Sequence, residues 1–318
     1  MNSSGEGSQY IGVDVGGTKV AAGLVDERGE ILSQVRAPMI AHGSADDGLG
    51  AVLSAIAQLM TGGAAVRGIG VCSPGPLDPA AGVILNPPNL PCWRDFPLAE
   101  AVSNAYRVPV NVDNDANAAA LAETRWGAAR GYNNVFYATI GTGIGTGIVM
   151  DDEIYHGRTG AAGEGGHVSI DYRGPVCGCG KPGCIEVLAS GSAIARRARE
   201  KVSSGRESSM LELAGAKLDG ITGEIVAKAY TAGDALAREV LTESADMLAV
   251  WLSNMIDLLD PEVIVIGGGA AALYRPFLVS LRERVPRLTL NPRAGEVPIM
   301  PARYGADAGI AGGAALCT

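Results

Sequence analysis

The sequence has no run of basic residues and no apolar stretch long enough to cross a bilayer. Acidic side chains outnumber basic ones by 34 to 25, which gives a net charge of −9. A nucleic-acid-binding surface needs clustered positive charge, and a transmembrane helix needs about 20 consecutive apolar residues. We therefore expect neither nucleic acid nor a membrane among the partners of this protein.

The N-terminus also lacks the apolar core of a secretory signal peptide. Residues 1–9 are polar and rich in Gly and Ser, which predicts a disordered tail. Without secretion we expect a cytoplasmic protein, in which the six cysteines stay reduced. Three of them, Cys72, Cys92 and Cys317, are scattered along the chain, and we interpret them as small buried hydrophobic residues.

Aromatic residues are scarce, at 5%, whereas 45 of the 318 residues are glycine. This balance predicts many tight turns and close backbone approaches, as phosphate-binding loops require. The chain length suggests two domains. Strand and helix patterns alternate, and a similar mixture of meander and βαβ units occurs in each half, which predicts the α/β class. Two lobes with a cleft between them are one arrangement for such a chain.

Several segments carry clear predictions of secondary structure. Short turns separate the first three predicted strands, between Tyr10 and Val35, which indicates an antiparallel meander. The Ala-rich stretch from Asp115 to Trp126 reads as a helix that follows a strand. Apolar residues at helical spacing predict a long helix from Ala235 to Leu259 and a shorter one from Leu273 to Val285.

One histidine and three cysteines lie close together in the sequence: His167, Cys177, Cys179 and Cys184. Thiolate sulfur and imidazole nitrogen suit Zn²⁺, which takes four such ligands in a tetrahedron. A disulfide with a spare thiol is one alternative, and free buried cysteines beside an unrelated histidine are another. A closed site of this kind has no open position for chemistry, so the predicted zinc is structural.

Two carboxylates, Glu164 and Glu186, bracket this cysteine-rich segment. We interpret them as acceptors of hydrogen bonds from substrate hydroxyls, since a carboxylate accepts two hydrogen bonds from a vicinal diol. The alternative is that both are ordinary surface acids.

Three glycine turns follow predicted strands, at 16–19, 141–143 and 267–269. Their backbone N–H groups can hold phosphates, although the first turn taken alone is equally an ordinary hairpin turn. The third fits a dinucleotide fingerprint, but the segment about 20 residues later supplies no acid for a ribose. Together the three turns favour a nucleotide held between lobes. Asp14 precedes the first turn inside an apolar strand, and this costly position suggests a role near Mg²⁺.

Asp115 is the candidate general base. It follows a predicted strand and opens a helix, whose N-terminus stabilises a negative charge. In phosphoryl transfer a positioned carboxylate takes the proton of the attacking hydroxyl. The alternative is that Asn114 and Asp115 only cap the helix.

Taken together, these motifs resemble those of the ROK family of sugar kinases and repressors, over nearly the whole chain. The motifs are Asp14-Val15-Gly16-Gly17-Thr18-Lys19, Ser73-Pro74-Gly75-Pro76, Pro88-Asn89-Leu90, Asn114-Asp115-Ala116-Asn117, Gly141-Thr142-Gly143-Ile144-Gly145, Gly163-Glu164-Gly165-Gly166-His167 and the cysteine segment from Cys177 to Glu186.

The resemblance implies an actin-like, ribonuclease-H-like ATPase fold of two α/β lobes with an interlobe cleft. We expect residues 10–115 plus about 305–318 to form the smaller lobe, and residues 116–304 to form the larger lobe with the zinc-binding segment. A homodimer or homotetramer is also implied. The repressors carry an N-terminal winged helix, for which the residues before Tyr10 leave no room, so DNA binding is not expected.

The activity implied by the resemblance is ATP-dependent phosphorylation of a hexose, with Asp115 as the base for the sugar 6-hydroxyl. The implied sugar-site residues are Gly75, Asn89, Asn114, Asp115, Glu164, His167 and Glu186, of which His167 would contact both zinc and sugar. The implied nucleotide-site residues are Asp14, Gly16, Gly17, Thr18, Lys19, Thr142, Gly143, Gly268 and Gly269.

Within the family, the pattern is most similar to that of bacterial glucokinases. Kinases of N-acetylmannosamine and N-acetylglucosamine share the Glu, His and Glu set and are the first alternative. A sugar-sensing protein without catalysis is an alternative of another class, but a pure sensor would need neither Asp115 nor the phosphate turns. An NAD-dependent oxidoreductase would rest on the late glycine turn alone. Polyphosphate or ADP as the phosphoryl donor stays open.

Overall fold

The computed structural model of the chain describes residues 8–60 and 65–318. The strands are β1 Gln9–Val15, β2 Lys19–Asp26, β3 Ile31–Pro38, β4 Val66–Ser73, β5 Leu77–Asp78, β6 Val83–Ile84, β7 Val110–Asn114, β8 Val135–Ile140, β9 Ile144–Met150, β10 Glu153–Ile154, β11 Val263–Gly267 and β12 Ile299–Pro301. The α-helices are α1 Ala45–Leu59, α2 Leu98–Tyr106, α3 Asp115–Arg125, α4 Ile185–Ala189, α5 Gly191–Ser203, α6 Met210–Leu213, α7 Gly223–Thr231, α8 Ala235–Leu259, α9 Leu278–Leu288 and α10 Ala308–Ala315.

The first sheet has the strand order β3-β2-β1-β4-β7. β1, β2 and β3 pair antiparallel, which confirms the predicted meander. β4 runs parallel to β1, and β7 runs parallel to β4. The carboxyl ends of β1, β4 and β7 therefore meet at one edge of the sheet, where open α/β sheets bind their ligands.

Helices cover both faces of this sheet. Ile11, Val13 and Val15 point to one face, by the two-residue period of a strand, and share an apolar core with α1 and α2. On the opposite face α10 packs against β1, β4 and α3. The backbones of α10 and β4 lie so close together that a Cβ atom on Gly70 would be 1.7 Å from the carbonyl oxygen of Gly313. A side chain is therefore excluded at Gly70.

The chain divides into two compact units. The first comprises the residues up to Tyr137, Gly147–Gly163 and Ala302–Thr318, and the second comprises Ala138–Thr146 and Glu164–Pro301. A lobe boundary after residue 115, as expected from the sequence, would separate β7 from α3, whereas both elements belong to the first unit.

The second unit is organised around α8, which α4, α5, α7 and α9 all contact. This helix has the predicted bounds, and the side chain of Asp234 caps it by accepting a hydrogen bond from the amide of Ala237 at 2.8 Å. β11 and β12 pair in parallel. They belong to a sheet with the order β10-β9-β8-β11-β12, and two of the boundaries between the units fall within β8 and β9.

Two predictions at the level of single elements need correction or qualification. The helix predicted from Leu273 to Val285 is wrong in its first part, because Gly269–Phe277 is a 3-10 helix and α9 begins only at Leu278. Pro276 lacks an amide hydrogen and its ring clashes with a preceding α-helical turn.

Of the predicted N-terminal tail, residues 1–7 lie outside the described residues, and Gln9 already belongs to β1. In the part of the chain that the structure describes, no helix is long and apolar enough to cross a bilayer.

Candidate active site

The junction between β7 and α3 carries the candidate base. Asn114 has the extended backbone of an N-cap, and its side-chain oxygen accepts a hydrogen bond from the amide of Ala116 at 2.9 Å. Asp115 accepts from the same amide at 2.8 Å and is exposed. The capping role is therefore confirmed for Asn114, while Asp115 presents a carboxylate that a substrate can reach. Gly75 adjoins this junction, since a Cβ atom on it would lie 3.9 Å from the side-chain nitrogen Nδ2 of Asn114.

Asp113, which precedes this pair, is a member of the site that the motifs did not single out. One of its carboxylate oxygens accepts hydrogen bonds from the amide of Asn114 at 2.7 Å and from the side chain of Asn117 at 3.0 Å. The other oxygen lies 2.6 Å from Nε2 of His156. This hydrogen bond raises the pKa of His156, although burial of the imidazole opposes the shift. The sequence shows an acidic residue at the end of a predicted strand, which could have indicated a site residue. It does not indicate that this acid pairs with a histidine 43 residues later.

Asp14, Cys72 and Asp113 form a row across β1, β4 and β7. Cys72 pairs in register with both acids, so the three side chains point to the same face of the sheet. Burial, together with the charges of Asp14, Asp115 and Asp113, raises the pKa of Cys72 well above its usual range. The thiol therefore stays protonated and unreactive, as predicted for a buried cysteine, and this edge of the sheet concentrates negative charge.

The carboxylate of Asp14 is only partly accessible. Burial raises its pKa, while the positive charges of Lys19 and Arg36 oppose that shift. Gly309 of α10 lies against it, because a Cβ atom on that glycine would be 2.4 Å from the Asp14 Cγ. Carboxylates at the strand edge are oxygen ligands of the kind that Mg²⁺ takes, so the residues present are compatible with that ion.

The turn between β1 and β2 packs against the loop that holds Asn89. The amide of Gly16 donates to the carbonyl of Lys19 at 2.9 Å and closes the turn. A Cβ atom on Gly17 would lie 2.7 Å from the carbonyl oxygen of Asn89, so a side chain at this position would push the turn off that loop. Thr18 and Lys19 are exposed. Within the first unit, the structure thus places predicted nucleotide-site residues directly beside one predicted sugar-site residue.

In the second unit, the four predicted metal ligands converge. The ligand atoms of His167, Cys177, Cys179 and Cys184 all lie within 4.8 Å of one another, and the three cysteines are free thiols. Nδ1 of His167 is 3.5 Å from the Cys177 sulfur, and the Cys179 and Cys184 sulfurs are 3.6 Å apart. Ligands about 2.3 Å from a tetrahedral zinc ion lie about 3.8 Å from one another. The cluster is therefore compatible with zinc, whereas a disulfide is not formed.

The backbone of this segment depends on tight local contacts. Gly183 has a φ of +62°, and a Cβ atom there would lie 1.7 Å from the carbonyl oxygen of Asp171. Burial raises the pKa of the Cys184 thiol to about 12, whereas a hydrogen bond from the Lys181 backbone lowers that of Cys179. A bound cation would favour the thiolate form of the buried sulfur.

Glu186 stands beside the cysteine cluster in the first turn of α4. One of its oxygens accepts a hydrogen bond from the amide of Ile144 at 3.1 Å, and the other lies 3.8 Å from the Cys177 sulfur. A Cβ atom on Gly143 would be 2.3 Å from the first oxygen. The glycine turn after β8 therefore makes room for this carboxylate.

His167 uses its two ring nitrogens in different directions. Nδ1 faces the cysteine cluster, and Nε2 lies 4.0 Å from a carboxylate oxygen of Glu164. The Glu164 side chain is 73% exposed. The structure thus brings Glu164, His167 and the metal cluster together, and a histidine that holds an ion through Nδ1 keeps Nε2 for another partner.

Two further glycine turns lie in the second unit. The turn Gly141-Thr142-Gly143 is closed by a hydrogen bond from its first amide to its last carbonyl at 2.9 Å. Gly268 has a φ of +89°, and a Cβ atom on it would lie 2.5 Å from the carbonyl oxygen of Ile140, at the end of β8. Gly269 then begins the 3-10 helix. The two turns therefore adjoin at the ends of β8 and β11.

Comparisons with known proteins show which family the chain is similar to. The model of the ROK family matches residues 10–318. A glucokinase of Halalkalibacterium halodurans is 37% identical over 313 residues, covering 96% of this chain and 93% of the relative. The structure of a ROK family glucokinase from Streptomyces griseus in complex with glucose and AMPPNP is 35% identical with a TM-score of 0.81, covering 97% of this chain and 99% of that one. A ROK family transcriptional regulator, a homologue of the E. coli MLC protein, is 29% identical with a TM-score of 0.85, covering 98% of this chain and 78% of that one.

Proposed function

The chain belongs to the ROK family, and on that premise we propose that it is an ATP-dependent kinase that phosphorylates the 6-hydroxyl of a hexose, with glucose as its preferred substrate. The observation that carries the proposal is the exposed carboxylate of Asp115 in the first turn of α3, directly after the parallel strand β7. This position is at the carboxyl edge of the sheet, where α/β folds bind ligands.

Asp115 acts as the general base in this proposal. It takes the proton of the sugar 6-hydroxyl while that oxygen forms a bond to the γ-phosphorus of ATP. The bond between the γ-phosphorus and the bridging oxygen breaks, and ADP leaves with the electron pair. Asn114 keeps the start of α3 in place by its capping hydrogen bond and, with Gly75 and Asn89, contacts the sugar.

The glycine turns supply backbone amides for the nucleotide. In the first unit the amide belongs to Gly17, with the exposed Thr18 and Lys19 beside it, while Gly16 shapes the turn by donating its own amide to the Lys19 carbonyl. In the second unit they belong to the turns that hold Thr142, Gly143, Gly268 and Gly269. Asp14 would hold Mg²⁺, which supplies positive charge to the phosphates when bound.

The carboxylates of the second unit contact the sugar hydroxyls. Glu186 and Glu164 accept hydrogen bonds from the sugar, and His167 donates or accepts through Nε2. Nδ1 of His167 and the three cysteine sulfurs would hold a structural zinc ion, which would fix the segment that carries these residues. The proximity of Cys177 to Glu186 supports this coupling between metal and sugar site.

A panel of sugars tests the proposal. We expect ADP release with ATP and Mg²⁺ to be fastest with glucose, compared with mannose, fructose, N-acetylglucosamine and N-acetylmannosamine. Faster turnover of an acetamido sugar would keep the mechanism and make the protein an amino-sugar kinase. Turnover with polyphosphate but not with ATP would contradict ATP as the donor.

A non-catalytic sugar sensor is the second candidate, favoured by the likeness to the transcriptional regulator. Calorimetry would then show sugar binding, while no sugar in the panel would stimulate ADP release. The exposed Asp115 beside a capped helix start supports catalysis instead, because a sensor has no use for a base.

Assembly and location follow from the family in this proposal. We expect a homodimer or homotetramer that works in the cytoplasm without nucleic acid or membrane. Light scattering after size-exclusion chromatography measures the oligomeric state. A mass of about 32 kDa, that of one chain, would contradict a homodimer or homotetramer.

Substitution of Gly143 by alanine probes the role of Glu186. The added methyl group would meet the Glu186 carboxylate and displace it from the Ile144 amide. Because a lost hydrogen bond to a charged group costs about 1.5–3 kcal/mol, we expect the KM for glucose to rise by about 10-fold or more. The change Gly295→Ala, where a Cβ atom would meet nothing within 4 Å and φ is not positive, controls for the loss of a glycine. An unchanged KM in Gly143→Ala would contradict a role of Glu186 in sugar binding.

A further inference from the structure

We propose that His156 is a positioning residue of this kinase, which acts through Asp113 to hold the β7–α3 junction and the base Asp115 in their reactive arrangement. The inference rests on the proposed function, because it assigns Asp115 the role of base. None of the family motifs above includes His156 or gives Asp113 a role.

The carboxylate of Asp113 joins three parts of the structure. One oxygen accepts hydrogen bonds from the backbone amide of Asn114 at 2.7 Å and from the side-chain amide of Asn117, in the first turn of α3, at 3.0 Å. The other oxygen holds Nε2 of His156 at 2.6 Å. Rotation of this carboxylate would break the bonds to Asn114 and Asn117 together. The bond to His156 opposes that rotation, so it helps to hold the backbone before Asp115 and the Asn117 side chain after it.

Because Asp113 is buried, the carboxylate oxygen that faces His156 needs this partner. The Asp113 side chain is only 5% exposed, and Asp14 and Asp115 bring two more carboxylates to the same edge of the sheet. A buried carboxylate without a partner loses most of the favourable energy of hydration. His156 donates to Asp113, and a charged imidazolium would also offset the repulsion between Asp113 and Asp115.

The backbone around His156 is itself held in place. The amide of Tyr155 donates to the carbonyl of Ile148 in β9 at 2.8 Å, and the carbonyl of His156 accepts from the amide of Ala162 at 3.1 Å. The imidazole is 34% exposed and lines a cavity of about 640 Å³ bordered by α3, β10 and the end of α10. Small molecules from solvent can therefore reach the position of the ring.

The test compares His156→Leu, which removes the hydrogen-bond donor, with His156→Gln, whose amide nitrogen can replace Nε2. We expect kcat with glucose to fall about 10- to 100-fold in His156→Leu, as for a small misplacement of a catalytic group, with the KM for ATP unchanged. His156→Gln should recover most of that loss. In His156→Ala, added imidazole should restore part of kcat by entering the cavity. His42→Leu, at an exposed histidine, is the matched control and should keep the wild-type kcat.

The outcomes separate this inference from the proposed function. Wild-type protein without sugar-dependent turnover would refute the function. Wild-type turnover together with a normal kcat in His156→Leu would overturn the inference alone. A lower melting temperature with a normal kcat would also overturn it, because His156 would then be a purely structural contact.

Amide hydrogen exchange gives a readout that needs no turnover. We expect the Asn114 amide, which donates to Asp113, to exchange faster in His156→Leu than in the wild type, as measured by NMR. The Ala237 amide, which donates to the capping carboxylate of Asp234 in the second unit, is the internal control and should not change. An unchanged exchange rate at Asn114 would show that His156 does not hold the junction.

Discussion

Replacement of Asp115 by asparagine is expected to lower kcat for glucose phosphorylation by about 10²- to 10⁴-fold, the usual contribution of a general base. The side-chain oxygen of asparagine can still accept the hydrogen bond from the Ala116 amide, so the start of α3 should keep its structure. An amide cannot take the hydroxyl proton. We therefore expect glucose binding, measured by calorimetry, to stay within a few fold of the wild type while turnover is lost.

The matched control for this variant is Asp47→Asn. Asp47 also lies in the first turn of a helix, where its carboxylate accepts hydrogen bonds from the backbone and side chain of Ser44. This change removes one carboxylate from a helix start away from the site and should leave kcat at the wild-type value. Full activity of Asp115→Asn, with the control also active, would mean that another group is the base.

Replacement of Cys184 by serine should have the largest effect on stability. Cys184 is fully buried, and its sulfur lies 3.6 Å from that of Cys179 within the metal cluster. Structural zinc contributes about 10–16 kcal/mol of apparent binding energy in zinc-finger peptides, and a fraction of that would be lost here. We expect zinc to fall from about one equivalent per chain to near zero by elemental analysis, with a lower melting temperature.

Loss of the metal should also weaken sugar binding. Cys184 is the N-cap of α4, and Glu186 lies in the first turn of that helix. Loss of the metal therefore displaces Glu186, and the KM for glucose should rise. Cys92→Ser, at a partly buried cysteine outside the cluster, should keep both zinc and KM. A wild-type protein that contains no zinc and melts normally, or a zinc-replete Cys184→Ser, would contradict the structural role.

Local patterns were enough to predict much of the fold. The short turns after Val15 and Asp26 leave no space for a crossover, so the first strands had to pair as a meander, and they do. The apolar spacing in 235–259 predicted the bounds of α8 correctly. In the structure, Asp234 caps the start of this helix. The helix predicted from Leu273 was wrong because the apolar period does not register the effect of Pro276 on the preceding turn.

The candidate site was predictable only where its residues are neighbours in the sequence. His167 and the three cysteines lie within one short segment, and the structure brings them together. The bond between Asp113 and His156 depends on how β7, β10 and the loop after it pack, which no local pattern encodes. The sequence also could not separate capping from catalysis at 114–115, because helix starts and general bases favour the same side chains.

The comparison of glucose with 6-deoxyglucose tests the central claim most directly. Both sugars present the same ring hydroxyls, but 6-deoxyglucose lacks the hydroxyl that Asp115 is proposed to deprotonate. We predict ATP-dependent ADP release with glucose, a glucose 6-phosphate product by phosphorus NMR, and no stimulation by 6-deoxyglucose, which should instead compete with glucose. Equal ADP release with both sugars, or a phosphate on another hydroxyl of glucose, would contradict the account.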